Sequence, residues 1–375
     1  MNYRLLTIVM ASSLATGICT AQTAVVEDFK PTTTTQQGKQ YPQVNSERRV
    51  RVRIAAPNAT RVQLDIAAVK YDLVKDTAGM WIGESAPQDE GFHYYQLQVD
   101  GASVPDPGSL YFYGASRWGS GIDVPAKDQD FYTVKNVPHG QLRESYYFSK
   151  TSNSVRRVYI YTPPGYDKET SKKYPVLYLQ HGMGENETGW GSQGKTNFIM
   201  DNLLADGKAN PFIIVMENSS VNFGPGPRPT GPAASKMYTA EFQKILFTDL
   251  IPYVESNYRV VADQPHRAMA GLSMGGMQTH TIVVGDPTKF SHIGMFSSGT
   301  FVPSEITDIE AFKKNVKLVF MSFGGREGGA TKIPAAAEEW NKVGIKSVSY
   351  VSPETAHEWQ SWRRSLYQFA QLLFK

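Results

Sequence analysis

The sequence predicts a mostly parallel sheet covered by helices on both faces, preceded by a small all-β sandwich. Three observations carry that prediction. After Val155, apolar strand-like runs alternate with segments of helical period. One run leads into Gly271-Leu272-Ser273-Met274-Gly275-Gly276, a G-x-S-x-G pattern set between a strand and a helix. Upstream, short strands of period two follow one another with no helical stretch.

The chain has 375 residues, enough for two domains, and its 41% apolar content supports a proper core. A net charge of +3 with no basic run gives no electrostatic case for nucleic acid or an anionic membrane. Residues 1–21 read as a bacterial signal peptide: Arg4, the apolar Leu5–Ala15, then Cys19-Thr20-Ala21 before Gln22. Cys19 as a lipid-anchoring cysteine is the alternative, with Ile18 a poor fit before it. Cys19 is also the only cysteine, so an exported mature chain would be free of disulfides. No later run is long enough to span a membrane. Export to the periplasm or the outside is the expectation.

Residues 22–45, with four threonines after Pro31, are polar and aperiodic and read as a tether. From Arg49 the pattern alternates strictly: Val50, Val52 and Ile54 face one way and Arg49, Arg51 and Arg53 the other. Val62, Leu64 and Ile66 repeat it, Met80–Ile82 and Phe92–Val99 add strands, and Asp100-Gly101 signals a hairpin turn. An immunoglobulin-like sandwich over residues 46–136 is expected. The stretch 102–150 reads as transitional. Within it, Phe112–Gly121 is too aromatic and glycine-rich for a bland linker. It is expected either to pack near the second domain's cleft, where Trp118 would help shape a substrate site, or to form an interdomain seam.

Residues 137–375 form the second domain. Strands are expected at Val158–Tyr161, Val176–Gln180, Phe212–Met216, Arg267–Ala270, Ile293–Phe296, Val316–Ser322 and Ser347–Val351. Helices are expected at Asn197–Ala205, Ala240–Ser256, Met274–Val284, Pro334–Val343 and Trp359–Phe374. A serine on a tight strand-to-helix turn sits at a strand's C-terminal end, where such sheets carry their sites. Gly271 and Gly275 leave room for that turn, and the helix N-terminus stabilises developing negative charge. Turn and sheet together define an α/β-hydrolase architecture.

A serine hydroxyl needs a base, and the base needs an orienting acid, in the chain order serine, acid, histidine. Three of the seven histidines follow Ser273. His280 lies inside the following helix and His292 begins the next strand, so both read as structural. His357 lies in a loop after the last strand and is the expected base. The acid should follow the strand ending at Ser322, where Glu327 is the only carboxylate of the segment Phe323–Gly329. The alternative is a solvated loop charge beside Arg326. The oxyanion donors are expected to be the N–H groups of Met274 and Met183, with Gly182 the alternative to Met183. Trp190 either lines a substrate groove or packs.

Three runs carry a resemblance. Leu179–Trp190, with its His181-Gly182-Met183-Gly184 core, Gly271–Gln278 and His357–Arg364 resemble the esterase D-like carbohydrate esterase family 1, which includes feruloyl and acetyl xylan esterases. The upstream module, with Ala55–Ala59, Trp81 and Val99–Gly101, is similar to the immunoglobulin-like, glycogen-binding-domain-like module that often precedes such enzymes. The resemblance implies hydrolysis of feruloyl or acetyl esters on plant xylan or its oligosaccharides, with no cofactor and no metal. The family usually has aspartate where this sequence has Glu327.

Two other function classes compete. Gly189–Thr196 matches G-x-x-x-x-G-K-[ST] in full, but a phosphate-cradling loop must follow its strand directly, and here the strand ends at Gln180. A non-catalytic carbohydrate-binding protein is the other. Within the hydrolases, a siderophore or small-ester substrate is the alternative to a polymer.

Overall fold

In the computed structural model, which describes residues 25–221 and 232–375, the second domain is organised by eight strands. They are β1 Gln141–Ser149, β2 Ser154–Thr162, β3 Val176–Gln180, β4 Ile213–Glu217, β5 Arg267–Leu272, β6 His292–Phe296, β7 Leu318–Gly324 and β8 Lys346–Ser352. Their order across the sheet is β1-β2-β4-β3-β5-β6-β7-β8. β1, β2 and β4 pair antiparallel, and every pair from β4 to β8 is parallel. β3 to β7 are buried along their whole length apart from Arg267 at the start of β5, as a sheet covered on both faces requires. One apolar cluster, including Phe242, Ile293 and Trp340, lies on one face. Another, including Leu179, Phe296 and Phe369, lies on the other. This is the α/β-hydrolase fold.

β1 has no counterpart among the expected strands. Its outward side chains include exposed Tyr146 and Phe148, so no clean alternation marks it. The longest helices are α1 Thr196–Ala205, α2 Pro232–Ile245, α3 Met274–Gly285, α4 Ile333–Lys342 and α5 Trp359–Ala370. α2 runs on through a wider π turn at Leu246–Leu250 into Ile251–Asn257, where Pro252 has no N–H to donate one turn back.

The N-terminal region is two antiparallel sheets closed over Val50, Val52, Leu64, Trp81, Leu97 and Ile122. Asp100 and Gly101 both take positive φ (48° and 89°), the geometry of a two-residue hairpin turn. The expected tether is corrected here. Lys30–Pro31 pairs with Gln43–Val44, which pairs with Arg49–Ala55, so this segment forms the edge of one sheet. Its threonine hydroxyls are hydrogen-bonded: Thr33 Oγ1 donates to Asp123 of the sandwich (3.1 Å) and Thr35 Oγ1 to Pro42 O within the segment (2.6 Å). The transitional stretch contributes a hairpin, Tyr111–Gly114 with Arg117–Val124, that extends the other sheet. Residues 1–21, expected to be a signal peptide, lie outside the described residues. No described helix is long and apolar enough to cross a membrane.

Candidate active site

Ser273 stands between β5 and α3 with φ 50° and ψ −115°, a conformation that non-glycine residues rarely adopt. The neighbours hold it there. A Cβ on Gly271 would run into the Gly275 backbone, and one on Gly275 would lie 2.6 Å from His181 O. Ser273 N–H donates to Phe296 O (2.8 Å), fixing the turn to the end of β6. Met274 supplies the first amide of α3, which no helical carbonyl can satisfy.

One residue beyond that anchor, Ser297 donates its hydroxyl to Glu327 Oε2 (2.7 Å), which also receives Gly324 N–H (2.6 Å). The other oxygen, Glu327 Oε1, is 2.7 Å from His357 Nδ1. Burial alone would raise the Glu327 carboxyl. The hydrogen bonds from His357, Ser297 and Gly324 outweigh it, and the group sits below the usual glutamate range. Glu327 is thus no solvated loop charge. Arg326 turns away from it to Asp89 of the sandwich (2.7 Å). Because Glu327 accepts at Nδ1, the other ring nitrogen of His357 is left to accept a proton. Trp362 packs edge-on against the imidazole, with centroids 5.1 Å apart, and gives its indole N–H to Ser297 Oγ (3.1 Å). Glu358 does not compete, since it accepts the Ala356 amide instead (2.9 Å).

The loop after β3 makes a tight turn, closed by Glu185 N–H to Gly182 O (3.2 Å), with Gly184 at φ 76° in the third position that demands it. Met183, at the second position, is 78% exposed, and a Cβ on Gly182 would lie 3.4 Å from Ser273 Cβ. The turn therefore stands over the serine. His181 beneath it is buried, and burial lowers its pKa. Its Nε2 accepts Ser219 N–H (3.0 Å), so Nδ1 carries the proton and donates to Gly182 O (2.7 Å).

Trp190 is corrected from groove to core. It is 1% exposed, donates its indole N–H to Gln180 O (2.9 Å) and meets Trp359 edge-on. Trp118 is 54% exposed and packs edge-on against Tyr113. The tip of its hairpin touches the turn over the serine, with Ser116 N–H donating to Gly184 O (2.9 Å). The run Gly189–Thr196 folds around Trp190 rather than a phosphate. Gly194 N–H is spent on Gly189 O, Arg363 caps Gln193 O (2.7 Å), and Lys195 Nζ points to Asp123 (3.9 Å). His280 stands 3.0 Å from Glu305, and His292 hydrogen-bonds Ser291, both away from the serine turn. No group of three or more His, Cys, Asp or Glu among the described residues is placed to hold a metal ion.

Sequence reasoning missed Ser297, Trp362 and a polar cluster around Tyr94. Ser297 carried one usable signal, since it directly follows the C-terminal end of a central strand. Tyr94 carried none, because its closest hydroxyl partners, Glu185 and Gln193, lie 91 and 99 residues away.

The α/β-hydrolase sheet thus bears a strained serine turn at the end of β5, with a histidine–glutamate pair after later strands. A family model described as "Putative esterase" matches residues 149–371, and the chain belongs to that family. It is 43% identical over 360 residues to an endo-1,4-beta-xylanase/feruloyl esterase of Xylanibacter ruminicola, covering 93% of this chain and 48% of that protein. The chain thus spans about half of that relative's length. A carbohydrate esterase family 1 ferulic acid esterase from Anaeromyces mucronatus, solved with ferulic acid, matches 66% of this chain and 96% of its own (22% identity, TM-score 0.57). The enterobactin esterase of Shigella flexneri, solved in the presence of enterobactin, matches 87% of this chain and 92% of its own (15% identity, TM-score 0.61). The fold they share is the one described above.

Proposed function

We propose that the chain is an exported serine carboxylesterase that removes feruloyl or acetyl groups from plant xylan or its oligosaccharides. The observation that carries the reading is the Glu327–His357 hydrogen bond, with Glu327 held in turn by Ser297, one residue past the strand end that anchors the Ser273 turn. His357 takes the proton of Ser273, whose oxygen attacks the ester carbonyl. The N–H groups of Met274 and Met183 hold the oxyanion, and Glu327 holds the imidazolium. His357 then protonates the leaving sugar alcohol, and water releases the acid in a second round. The xylanase/feruloyl esterase relative supports the xylan-ester substrate class, and the pattern of residues 1–21 supports export. Trp118, an exposed ring on the hairpin that abuts the Met183 turn, is assigned to the substrate's aromatic or sugar ring.

The test is hydrolysis of methyl ferulate, acetylated xylan, a nitrophenyl acetate and a catecholate triester by the mature protein and its Ser273→Ala variant. Ferulate or acetyl-xylan turnover that vanishes in the variant is expected. Turnover confined to the catecholate ester would move the substrate to a siderophore. Turnover undiminished in the variant would refute the serine mechanism.

A further inference from the structure

The N-terminal sandwich touches the candidate site, and one of its side chains lies at the centre of the contact. Tyr94, on the strand Gly91–Val99, reaches 2.8 and 2.9 Å from the two carboxylate oxygens of Glu185. Glu185 is the last residue of the turn that presents Met183. The same phenol oxygen accepts the Gln193 side-chain amide (2.6 Å) and the Trp359 indole N–H (3.1 Å). Trp359 begins α5, two residues after His357. Burial and the Glu185 charge both hold the phenol protonated, so it is a donor to the carboxylate. Two more contacts converge: Ser116 N–H on Gly184 O (2.9 Å), and Gln193 on Tyr113 O (2.8 Å).

We infer that Tyr94 is a positioning residue for the oxyanion turn: through Glu185, the sandwich sets where the Met183 N–H stands relative to Ser273. The module is then a working part of the esterase site, whatever sugar it does or does not bind. The physical basis is a turn whose second half has few holds within its own domain. The turn has one internal hydrogen bond, a hold on Gly182 O from His181 (2.7 Å) and an exposed Met183, so the placement of its second half depends on what grips Gly184 and Glu185. The sandwich supplies the grip on Gly184 and the shortest ones on Glu185, to which Gln193 adds a longer contact (3.3 Å). An oxyanion donor acts only if it is preorganised at the oxygen's position, and a shift of about 1 Å in a reacting group costs on the order of 100-fold in rate.

This inference rests on the serine-esterase reading, and the experiment separates the two. Steady-state kinetics on methyl ferulate would be measured for the full mature chain and for Tyr94→Phe, Glu185→Met, their double variant and Glu185→Gln. Binding of an aryl boronic acid, whose serine adduct places an oxygen in the oxyanion hole, would be measured beside it. The expected result for Tyr94→Phe is a fall in kcat of about 10- to 100-fold with KM within about two-fold. Boronate affinity should fall by a similar factor. Glu185→Met should do the same, the double variant should lose no more than either single, and Glu185→Gln, which still accepts from the phenol, should stay near wild type. Glu185→Met approaches the contact from the turn side and serves alone if Tyr94→Phe does not fold. Folded variants with unchanged kcat and boronate affinity, or losses that multiply in the double variant, would overturn the inference. If instead Ser273→Ala keeps its activity, the serine reading itself has failed.

Discussion

Replacing Glu327 by glutamine tests the orientation of His357 while keeping the side chain's size and shape. In the native site, Oε2 faces two donors, Ser297 Oγ at 2.7 Å and the Gly324 amide at 2.6 Å. A backbone N–H can only donate, so a glutamine must place its carbonyl oxygen there. Its NH2 group then occupies the Oε1 position, 2.7 Å from His357 Nδ1. It would donate to Nδ1 and force the ring proton onto Nε2, the nitrogen that should take the proton of Ser273. In serine proteases the corresponding wrong-tautomer change lowers kcat by about 10⁴, or about 5 kcal/mol of transition-state stabilisation. The same loss in kcat for methyl ferulate is expected here, with near-UV circular dichroism unchanged. Stopped-flow single turnovers would place the loss in acylation. A variant that keeps more than about a tenth of wild-type kcat would refute the reasoning, because His357 would then be oriented by something other than Glu327.

Two further outcomes follow from the packing and the charges. Trp190→Ala removes a ring wedged against Trp359 and Phe296 and should lower unfolding free energy by about 3–5 kcal/mol in urea titrations; wild-type stability with a raised KM for soluble esters would return Trp190 to the groove. Burial pushes Glu185 up to about 7, so between pH 4.5 and 7 the folded chain holds a proton that the unfolded chain has released. Its contribution therefore falls as pH rises across that window, by up to ~3 kcal/mol, and Glu185→Gln should flatten that part of the stability–pH curve. A curve with the same slope in the variant would show that Glu185 is not its source.

What the sequence made legible is what local sterics and chain order dictate. The serine turn could be read because its glycines are required within five residues of each other, and the structure puts Gly271 and Gly275 against one another. His357 and Glu327 could be read because each follows a strand in a fixed order, and Glu327 was the only carboxylate in its segment. Side-chain direction was not legible in the same way. Trp190 sits on a glycine-rich loop where no period tells inside from outside, and only the fold shows it turned onto Gln180. The threonines of residues 32–35 looked solvated because polarity was the only local signal, while their hydroxyls in fact bond neighbours within the sandwich and its edge.

The interdomain contacts lie furthest beyond the reach of sequence, and for a physical reason. A hydrogen bond between Tyr94 and Glu185, or between Asp89 and Arg326 (2.7 Å), leaves no periodicity on either side, since each partner looks like an ordinary polar residue of its own element. Yet both of these bonds end on loops beside the candidate chemistry: Glu185 closes the turn of Met183, and Arg326 directly precedes Glu327. A sandwich serving only to bind a polymer would have no need to grip either loop. That it grips both argues that the two domains were fitted to each other at the site. The region from Lys30 to Val124 should therefore be treated as part of the esterase when variants or truncations are designed.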